Sequence, residues 1–506
     1  MSSRVFGPDR IIGVVGAGSM GAGIALVAAR AGHSVRLHDL DPAAAHSALR
    51  KLSDTLDREV ERGRLTQERR AEALRHIQVA EPLADLADCD LVIEAIVERL
   101  DVKIALFQAL EDIVSTDAIL ATNTSSLSIT SIGASLRDPH RFLGMHFFNP
   151  AQVLPLVEVV SGALTDPQAA VTIVALASAW GKTPVQCGST PGFIVNRVAR
   201  PFYGEALKLL EERAARPETV DAALTECGGF RMGPCALMDL IGHDVNYSVT
   251  RSIFDAYFCD PRYSPSLIQQ DLVSAGRLGR KTGSGFFDYG PNAAKPSPPF
   301  EPRSDVRTIV VDGTPGRLAP LVEAAHAEGL VELGRGACRS GLKINGVLVL
   351  LTDGRTAADH AAACGDPVIL VDLALDYASA DRIVVAASPG ADLAPFVALA
   401  QCSGKTVTRI EDVPGLIVAR TVCMLANEAA DALGQGVASA TDIDLAMTAG
   451  VNYPIGPLAW ADRVGIAWVV ALLDNLDNAY RNGRYRAAPL MRRHALSAIP
   501  FLPRVI

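Results

Sequence analysis

"IIGVVGAGSMGAG", residues 11–23, decides the reading of the first half of this chain. An apolar run ends in glycines at GxGxxG spacing, Gly16, Gly18 and Gly21, and an alanine-rich stretch with a helical pattern follows. A strand that turns through glycines into a helix is the phosphate-binding corner of a dinucleotide fold. The first glycine permits the tight turn, the second lets a pyrophosphate approach the backbone, and the third lets helix and strand pack closely. Phosphate charge then sits at the helix N-terminus. Glycine-rich turns are common, so the spacing alone settles little. The next strand run, "SVRLHDL", supplies the second half of the signal: Asp39 stands 18 residues after Gly21, where a carboxylate accepts hydrogen bonds from both ribose hydroxyls. A carboxylate there repels a 2′-phosphate, and Leu40 beside it offers no cation. The predicted cofactor is therefore NAD and not NADP. The plainer reading of Asp39, as the start of the loop before "DPAAA", leaves its match to the glycine turn as coincidence.

Working outward, strand-like runs recur at "LVIEA", "AILATN", "FLGMHF" and "LVEVV", mostly separated by helical patterns such as "ALFQALEDIV". This alternation predicts an α/β doubly wound, Rossmann-type domain over residues 1–188. After Pro191 the texture becomes helical, predicting an all-helical domain over 189–289. "GPNAAKPSPPFEPRSD", residues 290–305, is rich in proline and polar residues and reads as a linker. Beyond it "VRTIVVDG", "GVLVLLTDG" and "PVILVDLA" predict a shortened Rossmann-like segment over 306–410, and helical patterns return over 411–506. The second half repeats the first. "TPGFIVNR" at 190–197 lines up with "VPGLIVAR" at 413–420, and the same offset of 223 pairs Gly181 with Gly404, Glu205 with Glu428, Asp221 with Asp444, and Asp239 with Asp462. Two copies imply domain duplication and not a solenoid. The later α/β segment has no GxGxxG, and Asn196 of the first copy becomes Ala419. One active site per chain is expected.

Composition narrows the function classes. The chain has 506 residues, 49% hydrophobic and 20% charged, with a formal net charge of −9. That balance argues against a nucleic-acid partner, which calls for a basic face. Its nine cysteines show no CxxC pair or Cys/His cluster, so no metal site and no disulfide framework are expected. The N-terminus lacks the apolar core of a secretory signal, and no apolar run approaches the roughly 20 residues needed to cross a bilayer. A cytoplasmic protein without membrane attachment is expected.

The residues between the second strand group and the helices carry the chemistry. "ATNTSSLSITSIGASLRDPHRFLGMHFFNPAQVLPLVEVVSG", residues 121–162, together with "TPGFIVNR", closely resembles the 3-hydroxyacyl-CoA dehydrogenase family over Ile11 to Tyr289. The resemblance implies that His146 is the catalytic base, Glu158 its charge partner, and Ser125 and Asn196 polar contacts to the substrate. The residue types suit the reaction independently. Oxidising a secondary alcohol removes the hydroxyl proton while hydride leaves the same carbon, and imidazole is the side chain that titrates near neutrality. Glu158, on the strand after the loop that carries His146, would hold the tautomer and stabilise the imidazolium. Taken singly, His146 reads as a core histidine, Glu158 as a solvated strand carboxylate, Ser125 as a loop serine and Asn196 as a helix-end side chain. Their joint occurrence behind a dinucleotide turn changes that.

The resemblance further implies that Asn149 organises the loop around the base, that Glu98 and Lys103 lie near the nicotinamide, and that Thr55 and Arg62 contact the nucleotide part of CoA. Lys103 also has a structural reading, and the helix bearing Thr55 and Arg62 also reads as a solvated mixed-charge face. Arg231 replaces a proline common in the family and Ala236 a frequent glutamate, which bears on acyl-chain specificity. The duplicated architecture resembles the bacterial phenylacetate-degradation group, which acts on 3-hydroxyadipyl-CoA; Arg231 or Arg200 would then meet the distal carboxylate. The alternatives are a general 3-hydroxybutyryl-CoA dehydrogenase and a non-catalytic binding relative. As partners, the resemblance implies a 3-hydroxyacyl-CoA substrate and either a homodimer or a monomer whose second helical copy stands in for the dimer partner.

Overall fold

Short apolar strands, each flanked by a helix long enough to cross back over a sheet, are what a doubly wound layer requires, and the computed structural model forms one. It describes residues 6–294, 296–334 and 341–503. The chain divides into two compact units, Met1–Arg197 with Gln435–Val451, and Val198–Gly434 with Asn452–Ile506.

In the first unit, β1 (Ile12–Val15), β2 (Val35–His38), β3 (Ile77–Ala80), β4 (Leu91–Glu94), β5 (Ile119–Thr122), β6 (Phe142–Phe147), β7 (Leu156–Ser161) and β8 (Thr183–Gly188) form one sheet of order β3-β2-β1-β4-β5-β6-β7-β8. Every neighbouring pair is parallel except β6–β7. The central strands are largely apolar, as covering both faces of a sheet requires; β1 is buried along its whole length. The strand order reverses between β1 and β4, so the glycine corner opening α1 (Ser19–Arg30) lies at a topological switch point, where ligands bind in such sheets. Two further helices matter to the site, α2 (Pro42–Glu61) and α3 (Leu100–Ile113).

The second unit holds a second sheet, of order β10-β9-β11-β12-β13-β14-β15, built from β9 (Ile309–Gly313), β10 (Val331–Leu333), β11 (Leu342–Ile344), β12 (Val347–Leu351), β13 (Val368–Val371), β14 (Arg382–Ala387) and β15 (Thr406–Arg409). Its last four strands repeat the pairing senses of β5 to β8: parallel, antiparallel, parallel. Where the first sheet has its dinucleotide half, the second has β11, antiparallel to both β9 and β12. The shortening expected from the sequence is a loss of the parallel nucleotide-binding strands and a retention of the rest.

The helices of this unit include α4 (Arg200–Glu211), α5 (Pro217–Ala222) and α6 (Val418–Gly434), with α4 packed on α6. Glu205 of α4 and Arg420 of α6 are both fully buried and pair at 2.8 Å; Arg484 reaches the same carboxylate at 2.7 Å, and the Tyr485 hydroxyl donates to it at 3.0 Å. Glu428, the repeat counterpart of Glu205, accepts from the Tyr263 hydroxyl and faces Arg262 at 3.6 Å. The repeat is equally visible in the tails. Asp239 accepts the N–H groups of Phe286 and Phe287 at 2.9 Å, and Asp462, offset by 223, accepts those of Phe501 and Leu502 at 2.9 and 3.0 Å. The helix that follows α6, α7 (Ala440–Val451), belongs to the first unit. Among the described residues no helix is long and apolar enough to cross a membrane.

Burial would push the Glu205 carboxyl up, but Arg484 and Arg420 hold it below the ordinary carboxylate range, so it is an anion at neutral pH. Glu205→Gln leaves the buried Arg484 without its counter-charge and Arg420 with Glu212 alone. The expected loss is about 3 kcal/mol of stability, read as a lowered denaturant midpoint at unchanged slope.

Candidate active site

At the glycine corner, steric demands explain the residue choice. Gly16 has φ +103°, and a Cβ there would lie 2.5 Å from the Ala95 carbonyl oxygen; a Cβ on Gly21 would lie 1.8 Å from the Gly16 carbonyl oxygen. Gly18 differs. It is the N-cap of α1 with no side-chain cap, and no atom lies within 4 Å of where its Cβ would be. The corner is therefore an open approach to helix N–H groups that no side chain satisfies, as a pyrophosphate needs. Asp39 is held against this turn: Oδ2 accepts the Ala17 N–H at 2.7 Å and Oδ1 the Asp41 N–H at 3.1 Å. Leu40 is 96% exposed, so no cation replaces the acid's preference for a free ribose. These residues fit NAD.

His146 lies on β6 itself and not in a loop, directly opposite Glu158 of β7 in the antiparallel pair. That register bears out the strand-like run "FLGMHF", corrects the loop also read for His146, and explains the spacing: two facing strands place the imidazole Nδ1 2.7 Å from Glu158 Oε2. Both side chains are buried, Glu158 completely. The other carboxylate oxygen, Oε1, accepts the N–H groups of Ile194 at 3.0 Å and Val195 at 2.9 Å. An acid so engaged requires Nδ1 to carry the proton in the resting pair and leaves Nε2 as the basic nitrogen. Phe148 and Phe193 flank the imidazole, at 4.6 and 5.8 Å between ring centroids.

Phe193 adopts φ 50° after Gly192 at φ 79°, a left-handed conformation that costs a non-glycine residue about 1 kcal/mol or more. That turn aims the N–H groups of Ile194 and Val195 at Glu158 and starts the helical turn Val195–Val198 that carries Asn196.

Glu98 gathers the serine loop. Its Oε1 accepts the Thr124 hydroxyl at 2.6 Å, the Ser125 N–H at 3.0 Å, and the Ser126 N–H and hydroxyl at 3.2 and 3.0 Å. Although burial raises its pKa, the Thr124 hydroxyl and the Lys103 charge hold it below the ordinary value. Lys103 of α3 is 1% exposed and lies between Glu94, fully buried at the end of β4, and Glu98 at 3.2 Å. It therefore acts through Glu98. Asn196 Nδ2 donates to the Ser125 carbonyl at 3.5 Å, so His146, Glu158, Ser125 and Asn196 are linked through backbone and side chain.

The remaining residues stand apart from this cluster. Asn149 is exposed and precedes a cis peptide bond to Pro150. Thr55 of α2 donates to the Lys51 carbonyl at 2.8 Å, and Arg62 caps the end of that helix, exposed. Sequence reasoning missed Asn123, whose Oδ1 accepts the Phe147 N–H at 2.8 Å and fixes the strand beside His146, and Glu94, which accepts from the Ile96 N–H, Lys103 and Thr122. A glutamate ending an otherwise apolar strand was the available signal for Glu94.

The second copy retains the turn and loses the site. Leu416 has φ 52° after Gly415 at 75°, as in the first copy. Val384 is paired with Thr408, the counterpart of Val185, so it stands where Glu158 stands. Opposite Val384, in the place of His146, is Asp372. Its carboxylate accepts the N–H groups of Ile417, Val418 and Ala419 at 2.9, 2.7 and 2.9 Å.

Comparison with known proteins agrees with this geometry. Residues 11–190 match the 3-hydroxyacyl-CoA dehydrogenase NAD binding domain, and 192–289 and 415–498 match the C-terminal domain of that family. The chain belongs to the 3-hydroxyacyl-CoA dehydrogenase family. Residues 349–414 match the reduced Rossmann-fold domain of 3-hydroxybutyryl-CoA dehydrogenase. A 3-hydroxyadipyl-CoA dehydrogenase of Escherichia coli K12 is 44% identical over 96% of this chain and 97% of its own length. A probable 3-hydroxybutyryl-CoA dehydrogenase of Bacillus subtilis is 41% identical over 54% of this chain and 96% of its own. A crystal structure described as 3-hydroxybutyryl-CoA dehydrogenase from Escherichia coli K12 superimposes with a TM-score of 0.88 at 42% identity, covering 97% of this chain and 98% of that one. As a member of this family the chain is an NAD-dependent dehydrogenase.

The two glycines separate fold from cofactor. Gly18→Ala meets no protein atom and leaves the melting temperature of the cofactor-free protein unchanged, while NADH dissociation constants, measured by fluorescence titration, rise roughly 10-fold. Gly21→Ala forces α1 off the turn and lowers both stability and affinity.

Proposed function

We propose that this dehydrogenase oxidises the 3-hydroxyl of 3-hydroxyadipyl-CoA to the 3-oxo group, with His146 as general base. The observation that carries the base assignment is the buried His146–Glu158 pair at 2.7 Å. NAD bound at the glycine corner supplies the hydride acceptor. His146 Nε2 takes the hydroxyl proton, and the positive charge that forms is stabilised by Glu158, which two backbone N–H groups hold in place. The Ser125 hydroxyl and Asn196 amide donate to the reacting oxygen and the thioester carbonyl. Asp39 takes the ribose hydroxyls, and Glu98, ordered by Lys103, positions the serine loop beside the nicotinamide. Asn149 organises the loop around the base, and Thr55 and Arg62 take the nucleotide end of CoA.

The adipyl group is supported by the 3-hydroxyadipyl-CoA enzyme, which matches the chain through both copies, whereas the Bacillus 3-hydroxybutyryl-CoA relative spans only about the first half. The crystal structure named for 3-hydroxybutyryl-CoA also spans both copies, and it is the observation that favours the second reading, a short-chain enzyme. For a distal carboxylate Arg231 is the better candidate of the two arginines. It is exposed and donates to Asn452 Oδ1 at 3.3 Å, whereas Arg200 is buried over the Tyr203 ring and donates to Thr250. We place the enzyme in the cytoplasm, keep the segment boundaries at 188, 289, 305 and 410, and read the α4–α6 packing, with its buried Glu205–Arg420 pair, as an internal substitute for a dimer partner.

Comparison of kcat/KM for 3-hydroxyadipyl-CoA and 3-hydroxybutyryl-CoA tests the substrate; the dicarboxylic thioester should win, and preference for the uncharged chain rejects it. In the same assay His146→Ala lowers kcat by about 10²- to 10⁴-fold. Asn196→Ala lowers kcat/KM roughly 10-fold, about 1.4 kcal/mol, and Ala419→Asn leaves it unchanged.

A further inference from the structure

The second helical copy contributes its helix α7 to the unit that contains the catalytic pair, and the contact falls on the residues that hold Glu158. Gly450, in the last turn of α7, has no positive φ to demand glycine. In a helix interior glycine is about 1 kcal/mol worse than alanine, so its use there needs another cause. Space is that cause. A Cβ at 450 would lie 2.4 Å from Leu156 Cδ2 and 3.4 Å from Val195 Cγ2. Leu156 opens β7 two residues before Glu158, and the Val195 N–H is one of the two donors to Glu158 Oε1. Asn196 follows directly. The same segment is fastened at two further points: the Gly188 N–H donates to the Val437 carbonyl at 2.8 Å, and Arg197 Nη1 donates to Gln435 Oε1 at 3.0 Å. The repeat supplies an internal comparison. The counterpart of Gly450 in the first copy is Cys227, a buried residue whose thiol meets the Arg382 carbonyl at 3.0 Å. Only the copy that touches the catalytic pair has lost its side chain at this position.

We infer that Gly450 of the non-catalytic copy is a positioning residue for the active site: it lets α7 seat against Leu156 and Val195 and so fixes the Glu158 carboxylate against His146. This rests on the assignment of His146 as base. The duplicate is then retained because it supports the first copy's chemistry, and loss of its own site leaves that duty intact.

Gly450→Ala adds one methyl group that is good for a helix and wrong for the contact. The expected result is a fall in kcat of roughly 10-fold or more with the NADH dissociation constant unchanged, since small misplacements of catalytic groups cost rate before they cost remote binding. Leu156→Ala in the same chain removes the clashing Cδ2 and restores kcat to within a few-fold of the native value. Gly450→Cys, which installs the residue of the first copy, gives the same loss or a larger one. The inference is overturned if Gly450→Ala keeps its native kcat, or if NADH affinity and melting temperature collapse with kcat and the Leu156→Ala change recovers nothing. His146→Ala in parallel separates the two levels. Full activity there removes the base assignment, whereas loss there with native activity in Gly450→Ala leaves the base standing and rejects the positioning role alone.

Discussion

A helix that begins with a buried left-handed turn presents N–H groups that must find an acceptor, and in this chain the acceptor is a single buried carboxylate. Both repeats meet the constraint at the same place in their sheets, with different residues. In the first, Glu158 gives one oxygen to Ile194 and Val195 and the other to His146. In the second, Asp372 occupies the position of the histidine and takes Ile417, Val418 and Ala419 directly. The acid is structural in both copies. Only the first has an oxygen left for chemistry.

That division explains what the duplication has kept and lost. Removing Glu158 from a second copy without replacement would leave buried N–H groups unpaired, at about 1–3 kcal/mol each. Asp372 answers that need from the facing strand. Burial pushes its carboxyl up to about 6 despite the four N–H groups it accepts, that of Leu373 being the fourth, and with Val384 opposite there is no imidazole to orient. The parallel nucleotide-binding strands have gone as well, replaced by the antiparallel strand β11. The copy persists as packing, with its buried Arg420 on Glu205 and its helix α7 on the strands beside the His146–Glu158 pair.

Much of this was legible in the sequence because it is local. The glycine corner, Asp39, the "HFFNP" and "TPGFIVNR" segments and the constant offset of 223 are read from spacing along the chain. What escaped is set by register and tertiary partners. The placement of His146 directly opposite Glu158 follows from the register of β6 on β7, which no local pattern displays. The burial of Lys103 between Glu94 and Glu98 is set by tertiary contacts, and its structural reading gains partners only there. Asp372 is one acid among 56 Asp and Glu residues until β13 is laid beside β14. The assignment of α7 to the first unit depends on contacts between residues more than two hundred positions apart, which the repeat offset conceals because it groups that helix with its own copy.

Two buried carboxylates that take the equivalent N–H groups from facing strands leave one catalytic site per chain. The most direct measurement is the stoichiometry of NADH binding, by fluorescence titration of the full chain at concentrations well above the dissociation constant. One site per chain gives a break at one NADH per chain, abolished by changes at the Gly16–Gly21 corner and unaffected by Asp372→Asn. Two equivalents per chain, or one that survives loss of that corner, would contradict it.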